Sequence, residues 1–178
     1  MNLWILLKRN IEKLRCKRNP IKFAKDKGVK IGNGCKIYAP DVGMFSSEPW
    51  LITIGDNCYI TYGVRFITHD GGTLVIKPEE YNADPFVICG DITVGNNVYI
   101  GERTTILPGV TIGDNVIIGC GAVVCKDIPS NSIAAGVPCR VINTRNAYVD
   151  KIKDIIAGKN ERYYSDLEFM HSKNPNRK

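Results

Sequence analysis

The sequence predicts an all-β molecule: a parallel β-helix of hexapeptide repeats with an N-terminal helix and a C-terminal helix. Three observations carry this expectation. Val94, Ile100, Ile106, Ile112, Ile118 and Val124 form a ladder of aliphatic residues spaced by six. Gly95, Gly101, Gly113 and Gly119 follow four of those rungs directly, and Val98, Thr104, Val110, Val116, Ala122 and Ile128 place a second small or medium residue four positions after each rung. A period of six is neither helical nor simply strand-like, and hexad repeats are a signature of β-helical solenoids. In such a repeat the rung and the second residue point inward, while glycine or asparagine near the corner lets the backbone turn. Three faces then close one triangular coil, and coils stack at the usual strand separation of about 4.8 Å. Both ends of the prism expose strand edges that something must cover.

Residues 3–18 show Leu3, Leu6 or Leu7, Ile11 and Leu14 at helical spacing among six Lys and Arg residues, and Pro20 marks the end of that helix. Such a segment suits peripheral contact with an anionic membrane surface, where Trp4 would sit at the interface. The plainer reading, and the one favoured, is a helix that caps the solenoid or touches a neighbouring subunit. The hexad rhythm begins near Val29 with Ile31 and Ile37, and breaks at 39–50, a stretch with two prolines, a glycine and two serines that predicts a loop. It resumes at Ile54, Ile60 and Phe66. Between Asp70 and Asp91 no rung stands at the right spacing, and Val94 lies forty residues past Ile54, so a second loop leaves the coil over 70–91. Long loops inside a compact repeat commonly carry function. After the ladder, Ser130–Cys139 ends the repeats with a Gly-Val-Pro turn. Residues 147–157 form a helical pattern stopped by Gly158, and the SKNPNRK tail from Ser172 is expected to be disordered. The segments are thus 1–28, a basic helix and connector; 29–142, the β-helix; and 143–178, the C-terminal helix and tail.

The formal charge of +6 hints at nucleic acid until it is divided along the chain. Residues 1–36 hold eleven Lys and Arg against Glu12 and Asp26, or +9, which leaves −3 for the other 142 residues. The basic character is local, and no nucleic-acid partner is expected. Seven cysteines show no CxxC spacing and are expected to be reduced, buried fillers of a cytosolic protein, with no metal site. The apolar run at 3–7 is too short for a signal peptide, and no segment approaches the roughly 20 apolar residues of a membrane span. The expected location is cytoplasmic, at most peripheral on the inner face of a membrane.

The hexads, the central loop and above all GVTIGDNVIIGCGAVVCKDIPSNSIAAGVPCRVI at 109–142 resemble the hexapeptide-repeat acyltransferases, in particular the galactoside and maltose O-acetyltransferases and the enzymes that acetylate surface polysaccharides. The resemblance covers roughly residues 29–142. It implies a left-handed coil, against the usual crossover rule, a homotrimer with active sites between subunits, and acetyl-CoA as donor. Acyl transfer to a hydroxyl needs a base near neutrality, for which histidine is the usual choice. Only His69 and His171 are available. His171 lies in the polar tail. His69, in FITHDGG where the coil gives way to the loop, stands where the family places its catalytic histidine. The family's cofactor contacts fall on Glu102, Cys120, Cys125, Lys126 and Arg140, of which Lys126 and Arg140 have the charge that phosphates need. Glu102 replaces a small hydroxyl residue common there, and Asn143 a basic one. Asp70, Glu79 and Glu80 are candidates to orient the imidazole.

For the acceptor, the 39–50 loop offers Asp41 and Ser46 to bond sugar hydroxyls and Trp50 to stack on a ring, although Asp41 and Ser46 are also ordinary turn formers; Asp70 and the wall of the 71–91 loop, with Tyr81 and Phe86, complete the set. The expected activity is O-acetylation of a sugar in a bacterial surface polysaccharide or its precursor. The alternatives are N-acetylation of an amino sugar and O-acetylation of an antibiotic-like xenobiotic. A γ-type carbonic anhydrase needs three histidines on zinc, and two are present. A non-enzymatic ice-binding scaffold would show a regular outward array of threonines, which the sequence lacks.

Overall fold

A computed structural model describes residues 3–159 and residue 163; the 172–178 tail and His171 lie outside the described residues. Parallel two- to four-residue strands stack into three sheets that form the faces of a prism. The first face carries the rungs Ile31, Ile54, Val94 and Ile112; the second carries Ile37, Ile60, Ile100, Ile118 and Ala134; the third carries Phe66, Ile106 and Val124. Met44 and Cys139 extend the third face at its ends through the bonds Phe66 N–H to Met44 O, 2.9 Å, and Cys139 N–H to Val123 O, 2.8 Å. The chain therefore makes five coils. All six rungs of the main ladder and all six second positions are buried, each buried aliphatic contributing about 1.5–3 kcal/mol.

Register shows where the repeat is edited. Val94 to Ile112 spans one coil of eighteen residues, whereas Ile54 and Val94, partners on neighbouring coils, are forty apart. The excursion is therefore 22 residues long. Ile31 and Ile54 are 23 apart, so the first break inserts five. In the last coil Ile128 bridges Ile112 sixteen residues back. Ile128 thus serves as a first-face rung as well as the second position of the Val124 hexad, and the Asp127 carboxylate accepts from Thr111 N–H at 2.7 Å beside it.

Corners between the first and second faces are tied by side chains. Asn33 N–H donates to Asp56 Oδ1 (2.6 Å), Asp56 N–H to Asn96 Oδ1 (2.8 Å), Asn96 N–H to Asp114 Oδ1 (2.6 Å) and Asp114 N–H to Ser130 Oγ (2.9 Å). One residue on, Asn57, Asn97, Asn115 and Asn131 all have positive φ, the left-handed region that asparagine tolerates better than most residues. Each corner hands its backbone donor to the next coil, so the motif G-[DN]-N is a stacking device.

Two helices precede the prism. Helix α1, Leu3–Arg18, ends before Pro20 as expected, but Pro20 also begins a second helix, α2, Pro20–Asp26. Asn19 caps it by accepting from Lys22 N–H at 3.0 Å, and proline at the first helical position needs no donor. The single N-terminal helix expected from sequence is thus a pair. Helix α2 covers the prism end: Phe23 and Ala24 are buried, and Val29 N–H donates to Ala24 O at 3.0 Å. Helix α1 lies outside it.

At the other end Ser132–Ala135 pairs antiparallel with Arg140–Thr144. This strand runs past residue 142, the boundary expected from the repeats, and Thr144 then caps α4, Arg145–Ile156, by accepting from Ala147 N–H at 3.3 Å; α3 is the short Pro78–Tyr81 turn within the excursion. The cysteines are all free, but only Cys16, Cys58 and Cys139 are buried and Cys35 partly so; Cys89, Cys120 and Cys125 are exposed, which corrects the expectation of buried fillers. Those three stand on the excursion's return strand and on corners, where the hexad does not turn its side chains inward.

Candidate active site

After Phe66 the chain leaves the corner between the third and first faces. Thr68 is fully buried, and its carbonyl accepts from Gly90 N–H at 2.9 Å. His69–Asp70 then pairs antiparallel with Ile88–Cys89, so outgoing and returning arms form a two-stranded neck. Gly90 closes that neck against the next coil. A Cβ there would lie 2.6 Å from Gly109 N and 3.1 Å from Pro108 C, which are backbone atoms that cannot move aside. Beyond the neck, Thr73 Oγ1 donates to Phe86 O, and Tyr81 and Phe86 meet edge to face with centroids 5.5 Å apart.

His69 is half-buried, with 35% of its side chain exposed. Its Nδ1 is 2.8 Å from Glu48 Oε2, and Thr68 Oγ1 donates to the same oxygen at 2.7 Å. These two donors, the Thr68 hydroxyl first and the imidazole second, hold the Glu48 carboxyl below its ordinary range. An ionised carboxylate only accepts hydrogen bonds. Nδ1 therefore carries the proton, and Nε2 is left as the basic atom. The carboxylate beside the imidazole is Glu48, not Asp70, Glu79 or Glu80. Asp70 Oδ1 accepts from Gly72 N–H at 2.8 Å, and Glu80 Oε1 from Lys77 N–H at 3.3 Å, each serving its own turn. Sequence reasoning missed Glu48 and Thr68. Glu48 stands 21 residues before His69 in the irregular first loop, and the only available signal was that this loop and the histidine both leave successive coils at the same corner.

The other candidates divide between two edges of the third face. Cys125 and Lys126 follow the Val124 rung and stand, exposed, on the same edge as His69, two coils along. Glu102 and Cys120 follow second-face rungs and stand on the other edge, where they line a shallow cavity of about 290 Å³ with Arg103 and Gly121. Glu102 Oε1 is 3.7 Å from Arg103 Nε. Arg140 is exposed at the prism end opposite Ala135, which follows the second-face rung Ala134 and so stands at the Glu102 edge; its guanidinium donates to Cys139 O at 2.8 Å.

The acceptor candidates separate as well. Asp41 pairs with Arg65 at 2.8 Å and lines a cavity of about 660 Å³ with Lys17, Tyr38 and Tyr62, on the Glu102 edge. Ser46 has φ 57° and lines a smaller hollow beside Phe45 and Pro49. Trp50 is exposed next to Gly28 and lines neither. Within one copy, His69 and the Asp41 cavity face away from each other across the third face.

Comparison with known proteins agrees with this architecture. The profile of the bacterial transferase hexapeptide family (six repeats) matches residues 88–126. Protein CapG of Staphylococcus aureus is 42% identical over 146 residues, an alignment covering 82% of this chain and 80% of that protein. The galactoside O-acetyltransferase of Escherichia coli (strain K12) is 41% identical over 129 residues, covering 71% of this chain and 59% of that protein. Among solved structures, a hexapeptide-repeat-containing acetyltransferase from Vibrio cholerae superposes with a TM-score of 0.56 at 20% identity, over 77% of this chain and 88% of that one, a likeness of fold.

Proposed function

Since this chain belongs to the bacterial hexapeptide-repeat transferases, we propose that it is an acetyl-CoA-dependent O-acetyltransferase acting on a sugar hydroxyl of a bacterial surface polysaccharide or its precursor. The observation that carries this reading is the Glu48–His69 pair at 2.8 Å, with Nδ1 committed to the carboxylate and Nε2 left basic. Nε2 takes the proton from the acceptor hydroxyl as its oxygen attacks the thioester carbonyl. The C–S bond then breaks, and the departing thiolate recovers the proton from Nε2. Glu48 steadies the imidazolium that exists between these transfers. No acyl-enzyme is required, and the use of acetyl-CoA puts the enzyme on the cytoplasmic side.

The residues fit the donor as substrate: Lys126, Arg103 and Arg140 are exposed cations along the two edges, of the kind that a polyphosphate head requires. The coil is read as left-handed and the assembly as a homotrimer in which the His69 edge of each copy meets the Glu102 edge of the next. Two features support that assembly. His69 and Lys126 stand on one edge, while Glu102, Cys120 and the Asp41 cavity stand on the other. The excursion exposes Leu74, Val75, Phe86, Val87 and Ile88, more apolar surface than a loop in water retains without a partner. The acceptor then sits in the cavity of Tyr38, Tyr62, Asp41 and Lys17, whose rings and charges suit a sugar; the likeness to a galactoside O-acetyltransferase supports that class.

The test is His69→Ala assayed by product mass with acetyl-CoA against sugars, sugar nucleotides, amino sugars and xenobiotics. Mass is preferred to thiol release because three exposed cysteines would consume a thiol reagent. The expected loss is roughly 100-fold to 10,000-fold; full transfer by the variant would defeat the mechanism.

A further inference from the structure

Among the described residues, the ion pairs of helix α1 with the rest of the chain lie on one side. Its sole acid, Glu12, faces inward and pairs with Lys27 at 2.6 Å; Arg15 pairs with Asp26 of α2 at 2.9 Å; and Cys16 is buried. These contacts fix the rotation of the helix and turn the opposite side outward. That side carries Leu7, Ile11 and Leu14, 57%, 48% and 68% exposed, at spacings of four and three that make one continuous stripe, with Trp4 at its N-terminal end. Lys13 flanks the stripe on one side and Lys8 on the other, with Arg18 at its C-terminal end. Six cations against Glu12 give the helix +5, and the only negative charge is on the buried side. Covering the prism end, the structural task that could have explained an N-terminal helix, is done by α2.

We propose that α1 docks the protein on a lipid bilayer that bears anionic headgroups, with the Leu7–Ile11–Leu14 stripe in the acyl boundary and the flanking cations at headgroup level. Charge favours lipid over a second copy of the chain, because apposing two such helices would bring two +5 surfaces together. No helix of the described residues is long and apolar enough to cross a membrane, so the helix lies in the interface plane. The proposal rests on the acetyltransferase reading only for its use: an acetyltransferase held there would work beside the bilayer surface.

The experiment is co-sedimentation of the full-length protein with vesicles of phosphatidylcholine alone and of phosphatidylcholine containing phosphatidylglycerol. Binding is expected to the second only, and to weaken with added salt. Neutralising Lys13 and Arg18 together as glutamines should lower the partition coefficient roughly 30-fold, from about 1 kcal/mol for each cation near an anionic surface. Leu7→Glu with Leu14→Glu, both at exposed positions, should abolish binding while leaving oligomeric state, circular dichroism and acetylation of a soluble acceptor unchanged. Absent binding to the anionic vesicles, or binding of the double Leu variant equal to that of the parent, overturns the proposal. A change of oligomeric state in that variant also overturns it and reassigns the stripe to a contact between copies. Because transfer to a soluble acceptor is read separately, this outcome is distinguishable from failure of the acetyltransferase reading.

Discussion

Glu48 receives two hydrogen bonds on one oxygen, and under the proposed mechanism this makes it a positioning residue whose charge matters as much as its shape. Glu48→Gln keeps the volume and removes the charge. We expect kcat to fall roughly tenfold or more with KM for acetyl-CoA nearly unchanged, and Glu48→Ala to be worse than Gln because it also frees the ring to rotate. A merely structural residue would move stability without splitting the kinetic constants. The pair also predicts a pH dependence of stability. The folded-state carboxyl titrates below the unfolded value of about 4.3, so the pair's stabilisation is present above that value and is lost as pH falls through the depressed one. Denaturant midpoints of the parent and the Gln variant should therefore differ at neutral pH and converge only below about pH 4.

At the scale of elements, the excursion's neck depends on Gly90 approaching the Pro108–Gly109 corner. Gly90→Ala places a Cβ 2.6 Å from Gly109 N, an overpacking that costs about 1–3 kcal/mol and shifts the strand on which His69 rides. The expected result is a lowered denaturant midpoint together with a fall in kcat, and an active variant of normal stability would show that the neck tolerates displacement. The same scale shows what the chain could disclose. The ladder from Val94 to Val124 is legible because an inward position on a stacked coil admits only aliphatics, and all six rungs are buried. His69 is legible because the rhythm fails beside it. Glu48 is not, because its approach to His69 results from a five-residue insertion whose path no periodicity encodes. Helix α2 is hidden for a different reason: Asn19-Pro20 stops one helix and starts another with the same two residues, and only the packing of Phe23 and Ala24 on the first coil selects the second.

For the whole molecule, the proposed trimer would make catalysis a property of the assembly, because the candidates divide between two edges. His69→Ala and Arg140→Ala chains, each weakly active alone, should recover activity when co-refolded, since some interfaces in a mixed trimer join an intact His69 edge to an intact Arg140 edge. Equal mixtures with no recovery would place both residues in one copy's site and remove the need for a neighbour. The measurement is specific activity against mixing ratio, with size checked by light scattering.

The corner ladder of Asp56, Asn96, Asp114 and Ser130 has a metrological consequence. Because each coil is locked to the next at one strand separation, the span from the Phe66 rung, before His69, to the Val124 rung, before Lys126, comes in whole steps, two of them, or roughly 10 Å. The prism is a graduated ruler. If His69 and Lys126 act as proposed, a lineage that gains or loses one eighteen-residue coil between those marks would change the length of donor it can measure in a single jump, with no intermediate setting.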